Sequence, residues 1–113
     1  KLQEAARQIG APAHLGITAT APGFYGAQGR HEPGFPPRNP HVIDELAAIG
    51  VANMEMEAST LFTLSSMQRW RAGCVCTVFG RRQQDQFLEK SEKPALEDRC
   101  VTVALDALIA LDL

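Results

Sequence analysis

Residues 53–59 read Asn-Met-Glu-Met-Glu-Ala-Ser and indicate the fold more clearly than any other part of the chain. Two carboxylates stand among methionines where an apolar run gives way to a helical pattern. Burying an unpaired carboxylate costs on the order of several kcal/mol, so Glu55 and Glu57 are expected to have partners, and a ligand's hydroxyl groups are natural ones. A second interpretation stays open, in which both glutamates start the next helix, favoured by its dipole, and point to water.

The residues on either side of this stretch predict a strand between two helices. Val51 to Glu55 is typical of a short strand, and Ala58 to Trp70 of a helix that is apolar nearly all round and therefore mostly buried. Upstream, Asn39 and Pro40 are a good N-cap and first residue for a helix that closes at Gly50.

Further from the centre, the chain alternates between apolar runs and polar loops. Ala13 to Ala19 predicts a short buried strand, and the proline- and glycine-rich Phe24 to Pro40 a long loop. Ala72 to Phe79 is the clearest strand candidate and is expected inside the sheet. Gly80 to Lys93 is a polar loop, and Pro94 opens a final amphipathic helix.

This order of elements predicts an α/β fold with a central, largely parallel sheet flanked by helices. In such sheets ligands bind beyond the carboxyl ends of the strands. Polar groups follow all three predicted strands at that end, so we expect the functional residues there.

Length and composition indicate a single globular domain. The 113 residues are 45% hydrophobic and 21% charged, with a net charge of −2 and no basic excess for binding a nucleic acid polymer. No apolar run is long enough to span a membrane, and the N-terminus lacks a signal-peptide pattern, so we expect a cytoplasmic protein. Lys1 to Ile9 is typical of a helix end without an N-cap, which suggests a piece of something longer.

The cysteines and histidines predict no metal site. His14, His31 and His41 are too dispersed to complete a zinc spacing with Cys74 and Cys76. Because Cys74 and Cys76 alternate along an apolar run and Cys100 lies in a helical pattern, all three cysteines are expected to be buried as small hydrophobic residues.

The loop from Phe24 to Arg30 has side chains suited to a planar polar ring. Phe24 can stack on such a ring, the Gln28 amide offers a donor and an acceptor, and the Arg30 guanidinium offers several donors in one plane. A solvated loop with one Phe in the core is the alternative.

Two further groups extend the candidate site. Glu55-Met56-Glu57 could place carboxylates where they accept hydrogen bonds from vicinal ribose hydroxyls. Arg81, after the predicted strand at residues 72–79, could polarise a carbonyl oxygen on a leaving base, although a solvated basic turn is also consistent with the pattern.

Taken in this order, the residues resemble the nucleoside phosphorylase family of the hexameric type, and within it the uridine phosphorylase branch. The most specific parts are Gly50 to Ser59, with Arg71 to Gly73 after them, and the pattern Phe-Tyr-x-x-Gln-x-Arg at residues 24–30. The second pattern is the one associated with pyrimidine recognition. The resemblance implies a three-layer sandwich, of which residues 1–113 would form the C-terminal half, carrying the base and ribose sites.

By position, the resemblance implies that Gln28 and Arg30 bind the uracil edge while Phe24 packs against the nucleoside. Met56 and Glu57 would hold the ribose.

The same resemblance implies that Glu55 lines this pocket. Arg81 would contact the uracil carbonyl through solvent as the catalytic arginine. No aspartate occurs at residues 80–82, where purine-specific relatives carry one nearby, which favours a pyrimidine.

The implied reaction is phosphate-dependent cleavage of a pyrimidine nucleoside to base and ribose 1-phosphate, with inorganic phosphate as co-substrate and no metal or organic cofactor. The family's phosphate-binding turn lies in an N-terminal half, so we expect the 113 residues alone to be inactive. Half of a covered sheet would expose apolar surface, and a homo-oligomer, at least a dimer, is expected. A non-catalytic short homologue that binds a nucleoside or only self-assembles, a nucleosidase and a purine nucleoside phosphorylase remain alternatives.

Overall fold

The structure, a computed structural model, describes residues 1–111. The chain divides into two compact units, Gly16–Ala72 and a unit made of Lys1–Leu15 with Gly73–Leu113.

The first unit, Gly16–Ala72, is built on two parallel strands, β1 (Ile17–Thr20) and β2 (Val51–Glu55). The predicted bounds of β2 are confirmed, whereas β1 begins four residues later than predicted and ends one residue later. The register pairs Thr20 with Glu55, so the last residues of the two strands lie side by side. This pairing places the polar junction after β2 next to the end of β1.

The beginning of this strand pair has an irregular register between Ile17 and Thr18. Just before β1 the backbone comes close to β2, since a Cβ atom on Gly16 would lie 2.5 Å from the Ala52 Cβ. Only a residue without a side chain fits opposite Ala52, which explains the glycine at position 16.

Helix α2 (Val42–Ala48) precedes β2. The helix was predicted, but it begins at Val42 and not at Pro40, because Asn39 forms a turn first: its Oδ1 accepts the His41 N–H at 2.9 Å and its Nδ2 donates to Glu45 at 2.7 Å. Gly50 closes the helix as predicted, with φ of +82°. The residues before α2 form the predicted loop, in which the one extended pairing described is an isolated bridge between Glu32 and Phe35.

Helix α3 (Ala58–Gln68) follows β2 and ends at Arg69, whose φ of 58° is left-handed. The helix was predicted, but the prediction that it is mostly buried is wrong. Its buried residues are Ala58 and Ser65, while Leu64 and Met67 are 54% and 71% exposed. The helix is apolar on all sides, and the neighbouring two-stranded sheet can cover only one of them.

The second unit is held together by α1 (Leu2–Gln8) and α4 (Lys93–Ile109), which pack against each other. Both helices were predicted, and α4 begins one residue before Pro94. Its buried core is small and consists of Ala5, Ala6, Val103 and Ala107. The small side chains let the two helices approach closely.

The prediction of a strand from Ala72 to Phe79 is wrong. Over these residues the structure forms no ladder, and Val75 and Thr77 instead turn toward α4: Val75 packs on its core, and the Thr77 hydroxyl donates to the Leu96 carbonyl at 3.3 Å. The alternation that predicted a strand therefore serves to pack the segment on a helix.

The expected polar loop after this segment contains a small hairpin. Strand β3 (Gly80–Arg81) pairs antiparallel with β4 (Gln86–Phe87), and a turn of 3-10 helix at Arg82–Gln84 joins them. At Gly80 a Cβ atom would lie 2.5 Å from the Phe87 ring, so a larger residue would require this exposed ring to move.

The prediction that the cysteines are buried is also wrong. Cys74 and Cys76 are exposed, and Cys100 is half-buried with its Sγ 3.6 Å from the Val75 carbonyl oxygen. None of the three forms a disulfide. Alternation puts Cys74 and Cys76 on the side of the segment opposite Val75, away from the helix core.

The α/β class is confirmed at the level of a small parallel sheet with helices. Across residues 1–111, no helix is both long and apolar enough to cross a bilayer.

Candidate functional site

The junction between β2 and α3 is organised by the carboxylate of Glu55. Its Oε2 accepts the backbone N–H groups of Glu57 at 2.7 Å and Ala58 at 2.5 Å, and its Oε1 accepts the Thr20 hydroxyl. The first N–H groups of a helix have no partner within the helix. Glu55 supplies that partner, so it caps α3 from the end of the preceding strand.

Thr20 links the three elements at this junction. While its hydroxyl donates to Glu55, its Oγ1 also accepts the Ser59 N–H at 2.9 Å, and the Ala21 N–H donates to the Glu55 carbonyl at 2.8 Å. A single threonine thus joins the end of β1 to the end of β2 and to the first turn of α3. Thr20 was not among the residues predicted from the sequence, because its importance depends on the register that sets it opposite Glu55.

These hydrogen bonds determine the charge state of Glu55. Burial raises the pKa of this carboxyl, but the hydrogen bonds from the Thr20 hydroxyl and from the Ala58 and Glu57 N–H groups outweigh burial and hold the pKa below its ordinary value. Glu55 is therefore ionised at neutral pH. Its carboxylate stabilises the strand-to-helix junction and accepts three hydrogen bonds from the protein itself.

Glu57 lies two residues further along and differs from Glu55. Its side chain is exposed, and the hydrogen bond described for its carboxylate is one accepted from the Met56 N–H at 3.1 Å. Met56 is half-buried. Glu55 thus serves the helix start, as the alternative interpretation predicted, but its carboxylate is bonded within the protein and does not point to water. Glu57 does point to water, next to the capped helix end.

The loop at residues 24–30 brings Phe24 and Arg30 together. The loop closes on itself, with the Arg30 N–H donating to the Tyr25 carbonyl at 2.9 Å. The Arg30 guanidinium carbon lies 4.0 Å from the centre of the Phe24 ring, and Tyr25 meets that ring edge-on at 5.1 Å. Phe24 is 47% exposed. The pair forms a cation–π contact that fixes both side chains.

Two polar side chains of this loop are withdrawn from solvent. Gln28 is only 7% exposed, and Arg30 Nε is buried without a hydrogen-bond partner among the described residues. A buried donor without an acceptor costs about 1–3 kcal/mol, so a ligand that displaces the side chains covering this nitrogen and offers an acceptor would recover that energy. Arg30 is thus the residue of the loop best prepared for a polar ligand.

Gly29 determines how the loop turns between Gln28 and Arg30. Its φ is +65°, and an added Cβ atom would lie 2.7 Å from Val42 Cγ1 and 3.0 Å from the Asn39 carbonyl oxygen. The loop therefore packs directly against residues 39–42, at the start of α2. A glycine is needed at this position both for the left-handed backbone and for the close contact.

Arg81 belongs to the other unit, where it lies on β3 opposite Gln86 with an exposed side chain. Its role in binding a base stays a prediction, as do the roles of Phe24, Gln28 and the residues of the β2–α3 junction. Among residues 1–111, no three His, Cys, Asp or Glu side chains are grouped closely enough to hold a metal ion.

Comparison with known proteins gives the family. The family model for the phosphorylase superfamily matches residues 1–110. The uridine phosphorylase of Thermococcus kodakarensis is 45% identical over 98 residues, which is 83% of this chain and 35% of that protein. The uridine phosphorylase of Escherichia coli is 35% identical over 109 residues, or 94% of this chain and 43% of the relative.

A DeoD-type purine nucleoside phosphorylase from Psychromonas ingrahamii is similar at a lower level, with 26% identity over 110 residues, 97% of this chain and 42% of that protein. The chain spans about two fifths of the length of these relatives, from 35% to 43%. Because the family model and the similarity to uridine phosphorylases both extend over most of the chain, the chain belongs to the phosphorylase superfamily.

Proposed function

We propose that the chain is the base- and ribose-binding part of an enzyme that cleaves uridine, or a related pyrimidine nucleoside, with inorganic phosphate. The observation that carries this proposal is the buried Arg30 Nε without a partner, held by its contact with Phe24. A uracil ring presents carbonyl oxygens at its edge, and such an oxygen is the acceptor that this donor lacks. The similarity to uridine phosphorylases supports the same assignment.

At the base, Arg30 and Gln28 would act together. In the reaction, negative charge develops on the uracil ring as it leaves, and a fixed cation stabilises that charge in the transition state more than in the ground state. The Gln28 amide can both donate to a carbonyl and accept from a ring N–H. Phe24 would pack against the nucleoside with the part of its ring that Arg30 leaves uncovered.

At the sugar, Glu57 is the proposed ligand for the ribose hydroxyls. Its carboxylate is exposed, and it has room to accept two hydrogen bonds from vicinal hydroxyls. The negative charge would also balance the positive charge that develops on the ribose ring. Met56 would pack beside the sugar, and Glu55, although near the pocket, would act by holding the backbone of residues 57 and 58 in place.

The proposed chemistry is a transfer of ribose to phosphate. A phosphate oxygen attacks C1 of the ribose while the bond from C1 to the base nitrogen breaks; the bonding electron pair leaves with the base, which takes up a proton. The products are ribose 1-phosphate and uracil. Arg81 is proposed to contact the uracil carbonyl through solvent and so to share the charge on the leaving base. The proposal requires no metal or organic cofactor.

For the whole protein, we propose the family's three-layer sandwich, with residues 1–113 as a partial domain. Exposed apolar residues on α3, Leu64 and Met67 among them, support a homo-oligomer of at least two chains. We place the enzyme in the cytoplasm.

The test is uracil release from uridine in the presence and absence of phosphate, measured on the 113 residues and on the complete protein that contains them. We expect phosphate-dependent release by the complete protein and none by the 113 residues, because the implied phosphate-binding turn is not among them. Release without phosphate would identify a nucleosidase, and preferential cleavage of inosine a purine enzyme. If the complete protein binds uridine but cleaves no nucleoside, the non-catalytic alternative is correct.

A further inference from the structure

The two cysteines of the segment before β3 lie against each other at the surface. Cys74 Sγ and Cys76 Sγ are 3.5 Å apart, and both residues are exposed. Two sulfur atoms at this separation are in van der Waals contact. None of the roles proposed above for substrate binding uses either thiol, so the pair is a separate feature of the molecule.

The backbone explains why the two thiols meet. Val75 between them packs on the core of α1 and α4, and Thr77 donates to the Leu96 carbonyl. In an extended segment, residues two apart share a side, so anchoring Val75 and Thr77 to the helix turns both cysteines outward. The third cysteine is different: Cys100 is half-buried and contacts the Val75 carbonyl oxygen from the helix side.

The spacing of the two residues is compatible with a disulfide bond. An extended chain rises about 3.2–3.4 Å per residue, which puts the Cα atoms of Cys74 and Cys76 roughly 6.4–6.8 Å apart. Disulfides usually join Cα atoms about 4.4–6.8 Å apart, so this pair is at the upper limit. Because residues 72–79 form no ladder, the backbone can bend slightly to shorten the distance.

The same geometry argues that such a bond would be easily reversed. A disulfide formed at the limit of the favourable range is strained, and strained, exposed disulfides are the readily reduced ones. A metal site is disfavoured here, because a stable thiolate site for zinc takes four ligands and no group of three or more candidate ligands occurs in residues 1–111.

We propose that Cys74 and Cys76 form a redox-active dithiol that closes to an intrachain disulfide by exchange with a low-molecular-weight disulfide such as oxidised glutathione. One cysteine thiolate attacks the small disulfide and releases its first thiol, giving a mixed disulfide. The second cysteine then attacks the protein sulfur of the mixed disulfide and releases the second thiol. The protein loses two electrons and two protons, and the small disulfide gains them as two thiols.

Closure of this bond leaves the packing of the unit unchanged. Val75 and Thr77 face α4, whereas the bond forms on the opposite side of the segment. The helical circular dichroism should therefore be the same in the oxidised and reduced forms. This inference does not depend on the proposed nucleoside chemistry.

Trypsin makes the test direct. Cleavage after Arg71 and Arg81 yields a peptide of residues 72–81 that contains both Cys74 and Cys76, while cleavage after Arg99 places Cys100 in another peptide. The chain is equilibrated in glutathione buffers of increasing oxidised fraction, alkylated and digested with trypsin. The masses of the peptides are then measured by mass spectrometry. We expect the 72–81 peptide to lose about 2 Da and to take up no alkyl group, at a buffer composition that leaves Cys100 alkylated. Excess reduced glutathione should restore two alkylation sites.

The variants make the result decisive. Cys76→Ser should yield a glutathione adduct on Cys74 in place of the internal bond, whereas Cys100→Ser should behave as the wild type. The proposal is overturned if the wild-type peptide carries glutathione on each cysteine without closing, if the bonds join separate chains, or if both thiols stay reduced at every buffer composition.

Discussion

Replacing Glu55 by glutamine tests the claim that its carboxylate, and not that of Glu57, stabilises the start of α3. The glutamine keeps the shape of the side chain but removes the charge. Hydrogen bonds to charged groups contribute about 1.5–3 kcal/mol and neutral ones about 0.5–1.5 kcal/mol. Glu55 accepts two backbone N–H groups and the Thr20 hydroxyl, and it is half-buried, so solvent compensates part of the loss. We expect a destabilisation of about 1 kcal/mol.

The assay is urea unfolding followed by helical circular dichroism. With a urea dependence of about 2 kcal/mol per molar, the midpoint of Glu55→Gln should fall by roughly 0.5 M. Glu57→Gln is the matched control, since this neighbouring carboxylate is exposed and its described hydrogen bond comes from the Met56 N–H alone. It should change the free energy of unfolding by less than about 0.5 kcal/mol. A loss of stability in Glu57→Gln as large as that in Glu55→Gln would show that the Glu55 hydrogen bonds are not what stabilises the start of α3.

Three further predictions concern the same unit. The folded-state pKa of Glu55 is lowered, so its contribution to stability is fully present above the ordinary pKa of a glutamate side chain and is lost as the pH falls through the lowered pKa. Wild type and Glu55→Gln should therefore unfold at converging urea midpoints in acid. Thr20→Val should cost about 1–2 kcal/mol in urea unfolding by leaving the Ser59 N–H without its acceptor, whereas Thr18→Val should be neutral or stabilising, because the Thr18 hydroxyl is buried without a partner. Gly29→Ala should lower the free energy of unfolding by at least about 1 kcal/mol, because of the φ of +65° and the close contact with Val42. It should also weaken uridine binding measured by calorimetry. An unchanged affinity would show that the base does not bind at this loop turn.

The parts of the fold that depend on local sequence could be predicted. Val51–Glu55 forms the strand that its apolar pattern indicates, and Gly50 ends α2 with the positive φ that favours glycine. Asn39 was predicted to be the N-cap residue of this helix, but its side chain bonds to His41 and Glu45 in a turn, and the helix starts later with His41 at the N-cap position.

The parts that depend on neighbours distant in sequence could not be predicted. Alternation at residues 72–79 is the same whether the segment pairs in a sheet or packs on a helix, and here Val75 packs on the core of α1 and α4. How much of α3 is buried depends on how many other elements pack against the helix. The composition of the helix does not reveal this. The outward position of Cys74 and Cys76 follows from the side on which Val75 is anchored.

At the candidate site, residue types were informative but contacts were not. The pattern at residues 24–30 predicted a planar ligand, yet only the structure reveals that Arg30 lies over Phe24 and that its Nε is buried without a partner. Similarly, the sequence alone does not distinguish the environment of Glu55 from that of Glu57. The strand register, which sets Thr20 opposite Glu55, gives them different environments.

Binding of a pyrimidine base to Arg30, in the loop at residues 24–30, can be followed by the NMR signal of the Arg30 Nε–H group. This signal is followed in the 113-residue chain as uracil is added, with Arg30→Lys used to assign it and adenine, which has no carbonyl oxygen, as the control ligand. We predict a saturable shift with uracil and none with adenine. An Arg30 signal that stays in place while uracil is added to millimolar concentration, or that moves equally with adenine, would show that Arg30 does not recognise a pyrimidine base.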